Sequence, residues 1–209
     1  MTKKLWKDFF MEIRKTLPRY LSILFIVALG VAFFSGVRAS EPDMRLSADT
    51  YYDEANFLDI RVISTLGLTD EDLAAIRGIP GVSDAEALLS IDAFLENGEK
   101  SLVATVQSLT GDINQYRISE GRLPQTADEC LLDEAFLMHG EYRLGDTIRL
   151  RSGSDDPLTD SLTGEEYTIV GFGLSPMFLS WDRGAATIGS GDVTGFVALV
   201  PEAFLTEAY

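Results

Sequence analysis

The order of apolar and polar positions divides the chain into three stretches. In the first, Leu5, Trp6, Phe9, Phe10, Ile13 and Leu17 recur at three- and four-residue spacing and so share one helical face. Lysines surround that face, and the pattern predicts an amphipathic basic helix over 1–19. Such a helix lies on a membrane surface with Trp6 at headgroup depth. Pro18 predicts a break after it. In the second stretch, between Tyr20 and Val37, there is no charged side chain at all. Leu21–Val37 alone, at about 1.5 Å per residue, covers nearly the roughly 30 Å hydrocarbon thickness of a bilayer. A helix apolar on every face has no side to offer water, so residues 20–38 read as a transmembrane helix. Gly30 and Gly36 are places where another helix can approach, but their six-residue gap is not a GxxxG signature.

The third stretch, 39–209, alternates short apolar runs with turn residues. Its start, "ASEPDMRLSADTYYDEAN", is polar and contains Pro42, which predicts an irregular exit from the span. "FLDIRVIS" (57–64) alternates as a strand does. "LTDEDLAAIRGIPGV" (68–82) predicts a helix. Thr69 is placed to cap it, Asp72 to complete a capping-box-like pair, and Leu73 and Ile76 to face inward, with Gly78, Pro80 and Gly81 ending it. Asn97–Gly98 predicts a hairpin turn. Strand, helix, strand, strand in that order predicts a split α+β layer like part of a ferredoxin-like unit. A strand at 129–133 and a short helix ending near Gly140 follow. Strands at 146–151, 166–174 and 194–201 then predict a small β-rich subdomain, with a short helix in 202–209 closing the chain.

Charge sharpens the division. Residues 1–19 carry six basic and two acidic groups, whereas 38–209 carry 11 basic and 31 acidic ones. The positive-inside tendency therefore puts the N-terminus in the cytoplasm and 39–209 outside the cell membrane. A surface this acidic repels phosphate backbones, which excludes nucleic acid as a partner. Signal-peptide cleavage competes with a retained anchor: Val37 and Ala39 stand at the −3 and −1 positions a signal peptidase favours. Against cleavage, the apolar run and its basic leader are both long, and Arg38 lies inside the motif.

Candidate chemistry is sparse. Cys130 is the only cysteine and His139 the only histidine, so neither an internal disulfide, a histidine-based zinc cluster nor a Ser-His-Asp triad can be assembled. Cys130 reads as a small buried hydrophobe. Asp155, Asp156 and Asp160 lack the spacing, glycine and terminal glutamate of an EF-hand, and read as a solvated loop. "ENGEKS" (96–101) lacks the GxxxxGK[ST] pattern of a phosphate loop and sits on a hairpin turn. Gly171, Gly173, Gly184, Gly189, Gly191 and Gly195 serve turns and bulges. Tyr51, Tyr52 and Phe57 suit either an interfacial aromatic belt or core contacts. No catalytic, cofactor-binding or metal residue can be singled out, and on its residues alone the ectodomain reads as a non-enzymatic module.

A family resemblance rests on several blocks taken in order. "RYLSILFIVALGVAFFSGVRASEPDM", "YYDEANFLDIRVISTLGLTDEDL" and "IPGV" are followed by "GRLP", "DECLLDE", "LGDTIRL", "YTIVGFGLSPMF" and "RGAATIGSGDVTGFVALVPEAF". Together they resemble the start of an FtsX-like/MacB-like ABC transporter permease. The resemblance implies an α+β ectodomain of the MacB-like periplasmic core type, with a β-rich subdomain, on a single N-terminal transmembrane helix. It further implies a separate ABC ATPase subunit that hydrolyses ATP, the remaining transmembrane helices of the permease, the lipid bilayer, and a dimeric or pseudo-dimeric assembly. Cofactors and catalytic residues in this chain are not implied. The chain departs from the family in having one span, and so resembles an N-terminal piece ending inside the ectodomain. A single-span extracytoplasmic sensor or binding module without an ATPase remains the alternative, and a secreted binding protein cleaved after Ala39 is a third.

Overall fold

The computed structural model describes residues 2–64, 66–97, 100–154, 156–180, 182–189 and 191–205, without the side chains of residues 2–5, 8, 97 and 100. The chain separates into two compact units, 1–51 and 52–209.

One element dominates the first unit. Helix α1 runs from Thr2 to Glu54, 53 residues, with Pro18 and Pro42 inside it. Its best 18-residue window has a mean hydropathy of 2.3, and it is the one helix among the described residues long and apolar enough to cross a membrane. The expected break at Pro18 and the irregular exit at Pro42 are therefore absent. An interior proline removes one backbone hydrogen bond and crowds the carbonyl four residues back. The carbonyls left without that donor are those of Arg14 and Arg38, and nearby hydroxyls bond other carbonyls of the same helix. The Thr16 Oγ1 donates to the Glu12 and Ile13 carbonyls, the Ser22 Oγ to the Pro18 carbonyl at 2.8 Å, and the Ser40 Oγ to the Gly36 carbonyl at 2.9 Å. An Arg45–Glu41 ion pair at 3.1 Å spans Pro42 one turn along the helix. Trp6, Phe9 and Phe10 form mutual ring contacts near the helix start, with centroids about 6 Å apart.

The second unit is built from strands. The segment 57–64 is not one of them. Its alternating composition is strand-like, but no other strand pairs with it. Helix α2 (Asp70–Arg77) forms as its caps dictate. Its Thr69 Oγ1 accepts from the Asp72 N–H, and the Asp72 carboxylate accepts from the Thr69 N–H, a reciprocal capping box. The Thr69 N–H first, and then the Thr69 hydroxyl, which donates to the same carboxylate at 2.9 Å, hold the Asp72 carboxyl below its usual range. Leu73 and Ile76 are half-buried and the rest of the helix is exposed, so they form its inward side as expected.

The seven strands are β1 (Ser90–Asn97), β2 (Lys100–Ser108), β3 (Arg117–Gly121), β4 (Glu129–Asp133), β5 (Thr147–Arg151), β6 (Glu166–Leu174) and β7 (Gly195–Leu199). β1 and β2 form the expected hairpin, with Asn97 opposite Lys100; the Gly98 of its turn lies outside the described residues. β4 and β6 match the expected spans of 129–133 and 166–174. β3 carries only five residues, two charged and none buried, and its pattern gives no strand signal. The 202–209 helix is replaced by a single 3₁₀ turn, Pro201–Ala203, and residues 206–209 lie outside the description.

The ladder closes on itself in the order β1-β2-β7-β4-β6-β5 and back to β1, with β3 added on β6. The hairpin expected in a separate ferredoxin-like layer thus belongs to the same barrel as the later strands. β6 makes this possible. Glu166–Thr168 pair with β5, and Gly171–Leu174 pair with β3, while the opposite edge pairs with β4 from Thr168 to Gly173. The handover is tight. At Gly121, where φ is +78°, an added Cβ would sit 2.2 Å from the Val170 carbonyl oxygen, so only glycine fits.

Each barrel strand sends two alternate residues inward. Ala93 and Leu95, Ala104 and Val106, Val197 and Leu199, Cys130 and Leu132, Tyr167 and Ile169, and Ile148 and Leu150 all belong to one buried cluster. Cys130 is buried as expected, and burial pushes its thiol pKa up. β4 and β7 are covered on their outer faces too, through Leu131, Phe196 and Ala198, which explains their unbroken apolar runs.

Outside the core, Arg122 forks onto the Glu129 carboxylate, which also accepts from the Gln125 N–H at 2.9 Å. The Arg122 bonds first, and then the backbone bond, pull the Glu129 pKa from 4.5 to about 2. A depressed carboxylate contributes stability above its ordinary pKa and loses it as pH falls through the folded value. The denaturation midpoint of the full chain in detergent should therefore fall as pH drops from 4.5 towards about 2. Glu129→Gln should flatten that fall, and equal slopes in the two proteins would exclude this pair as its source.

Candidate binding groove

A groove of about 500 Å³ opens on the outer face of β1 and β2, walled by the 175–193 connection between β6 and β7 and lipped by residues 61–63. The connection is long and has little regular structure, so it needs fastening. Three sets of contacts supply it.

The deepest is Asp133, the last residue of β4. Its carboxylate is fully buried and pairs with Arg183 at 2.8 Å. It also accepts from the Ala135 N–H at 2.9 Å and the Phe196 N–H at 3.3 Å. Burial raises its pKa, and those two N–H groups and the Arg183 charge act in the opposite direction. Arg183 in turn donates to the Phe178 carbonyl at 2.8 Å, with its guanidinium centre 5.5 Å from the Phe178 ring. One ion pair thus ties the connection to the ends of β4 and β7.

The second set is aromatic. Phe178 packs on Phe196, and Phe196 on Tyr116, with centroids 5.4 Å apart in both pairs. The Tyr116 hydroxyl accepts from the Gln107 Nε2 at 2.7 Å, and burial pushes its pKa up. The third set fastens the far limb. Asp92 accepts from the Thr105 hydroxyl at 2.9 Å, the Thr187 N–H at 2.8 Å and the Thr187 hydroxyl at 2.7 Å. Within that limb, Ala185 and Asp192 form an antiparallel bridge.

The fastened groove has apolar ground at Ile91, Met177, Phe178 and Val193, with polar groups at its rim. Asp92 and Asp133 are committed to the bonds above. Arg61 and Asp182 are exposed at the lips. Such a lining can hold an amphipathic segment by apolar contact and rim charge.

The sequence singled out no site residue, and the groove draws on residues far apart in the chain. Asp133 and Arg183 are 50 residues apart. The one local sign was a carboxylate ending the otherwise apolar run "ECLLD". Cys130 lies in the barrel core, and His139 follows the 3₁₀ turn Glu134–Met138; neither lines the groove. The acidic loop keeps Asp156 and Asp160 among the described residues, while Asp155 lies outside them. Among the described residues no group of three or more His, Cys, Asp or Glu is placed to hold a metal ion. Tyr52 and Phe57 stack with centroids 4.8 Å apart.

No family model and no curated protein matches the chain. Among solved structures, the chain is similar to the extracellular domain of the noncanonic ABC-type transporter YknZ from Gram-positive bacteria. The identity is 13% and the TM-score 0.39, and the match covers 66% of this chain and 64% of that one.

Removing one partner of a buried ion pair strands the other's charge, which typically costs about 3–5 kcal/mol. Arg183→Ala should lose stability in that range, because Asp133 stays buried. Arg183→Ala with Asp133→Ala should lose less than the two single changes summed, as measured by a chemical-denaturation double-mutant cycle. Strict additivity would show that the pair does not hold the connection in place.

Proposed function

We propose that this chain is the N-terminal part of the permease subunit of an ABC transporter of the FtsX/MacB kind. It sits in the cell membrane with residues 1–19 in the cytoplasm and the β-rich unit outside. A partner ATPase hydrolyses ATP, and this chain carries the resulting movement to the ectodomain for export or extraction of a substrate. The observation that carries the reading is α1 itself. It begins in the basic, aromatic N-terminal segment, passes through the uncharged stretch and ends only at Glu54. From Val37 to its end it continues for 17 residues, about 25 Å at helical rise.

The chain that leaves α1 is fastened within the second unit. The Asn114 N–H donates to the Asn56 carbonyl at 3.0 Å, and the Gln115 N–H to the Ala55 carbonyl at 2.8 Å. The Asn56 Nδ2 donates to the Asp112 carbonyl at 2.8 Å, and the Leu58 N–H to the Asn114 Oδ1 at 3.1 Å. Asn56 and Asn114 both hold positive φ, which asparagine tolerates better than most residues. Glu86 accepts from the Gly111 and Asp112 N–H groups, securing the same loop. A displacement of the helix end is thereby passed to the 111–115 loop rather than absorbed by slack chain. One helix cannot by itself line a path for a polar substrate, so this piece works with further helices. The ordered sequence blocks supply the family of the assembly.

The groove supports a second reading, a single-span binding module with no ATPase. The two separate on one preparation. Tagged full-length protein purified from its native membrane should bring down a nucleotide-hydrolysing subunit, and its absence would favour the binding module. A proline at Ala28 removes one backbone hydrogen bond from the middle of the apolar stretch and orphans the Leu24 carbonyl where no water can satisfy it. Ala28→Pro should therefore leave ATP hydrolysis in place and abolish transport by the assembly; unchanged transport would sink the coupling mechanism.

A further inference from the structure

We propose that residues 58–62 pair antiparallel with the same residues of a second copy of this chain, centred on Ile60. The proposal starts from a stretch that has strand chemistry and no strand partner. Ile60, Val62 and Ile63 are 81%, 56% and 74% exposed. β-branched residues of this kind favour a pleated, half-buried surface, and a contiguous exposed run marks an interaction site. The backbone groups are equally open. After the Leu58 N–H, the next hydrogen bonds along this segment are those at Leu66 and Gly67, both to Ser64. An unpaired row of N–H and C=O groups is a template for strand addition.

The charges select the occupant. Asp59 and Arg61 flank Ile60, and neither has an ion-pair partner among the described residues. In an antiparallel pair centred on Ile60, the Asp59 of each copy faces the Arg61 of the other. The same register sets Leu58 against Val62 twice and Ile60 against itself. Moving the centre by one residue opposes Asp59 to Asp59 or Arg61 to Arg61. Moving it by half a residue sets both charges against apolar side chains. A parallel in-register pair opposes like charges throughout. Only the Ile60-centred register satisfies every cross-strand position, and it is self-complementary, as a two-fold interface requires. The chain bends at Asp59 in the single copy, and pairing straightens it. An anionic lipid surface is not a competing occupant for a unit this acidic.

The test uses the full-length chain in membranes, with Cys130→Ala removing the native thiol, and needs neither nucleotide nor substrate. It therefore stands or falls separately from the transporter reading. Under mild oxidation, Ile60→Cys should give a disulfide-linked dimer. Ile63→Cys should not, because six residue positions, about 20 Å of strand, separate the two copies of residue 63. Ile79→Cys, exposed but outside the register, should behave like Ile63→Cys. Asp59→Arg or Arg61→Asp should cut the Ile60→Cys yield about tenfold, which is about 1.4 kcal/mol spread over two reversed pairs. The double change Asp59→Arg with Arg61→Asp should restore it. All these positions except Cys130 are exposed, and a denaturation midpoint equal to that of the Cys130→Ala background confirms that each variant folds. No cross-link from Ile60→Cys, equal cross-linking at all three positions, or a yield indifferent to charge reversal would overturn the pairing. So would an Ile60→Cys thiol shielded from a thiol reagent but never cross-linked, since a different polypeptide would then cover the strand.

Discussion

Everything in the β-rich unit depends on β6 being able to change partners along one edge. A nine-residue strand pairs with β5 over its first part and with β3 over its last, while β4 holds the other edge. Without that handover the ladder would not close, and twelve inward side chains would lose their common interior. Closure leaves no open edge around the six barrel strands, and β3 keeps one free edge outside them. The handover has a local requirement of its own, the near contact of Gly121 with the Val170 carbonyl oxygen.

Two further fastenings convert the barrel from a packed core into a device. The Asp133–Arg183 pair holds the long 175–193 connection where it walls a groove. The bonds from residues 55–58 to 112–115 secure the chain as it leaves α1. Both use partners distant in sequence, and both set a charged or amide side chain against backbone groups.

The strands were legible where alternation met the barrel's geometry. "EYTIVGFGL" read correctly because two-residue periodicity matches inward and outward positions, and "ECLLD" because a short apolar run suits a strand covered on both faces. The Thr69 capping box was equally plain, since all its partners lie within four residues. The misreadings have separate physical causes. Pro18 and Pro42 signalled helix breaks, but each removes only one backbone hydrogen bond from a 53-residue helix, and the Glu41–Arg45 pair spans Pro42. "FLDIRVIS" carried the right composition without a partner to pair with, and β3 carried a partner without the composition. The groove was invisible because Asp133 and Arg183 meet only after β4 and β7 have been brought side by side.

Helix α1 runs unbroken from Thr2 through Pro42 to Glu54. Spin labels at Arg38→Cys and Glu54→Cys, in the Cys130→Ala background and in a lipid bilayer, measure this directly. Sixteen helical steps at about 1.5 Å place the two backbone sites about 24 Å apart. A helix unbroken at Pro42 gives a single narrow distance distribution about that value, widened only by the label arms. A broad distribution, or one displaced by a bend at Pro42, would contradict it.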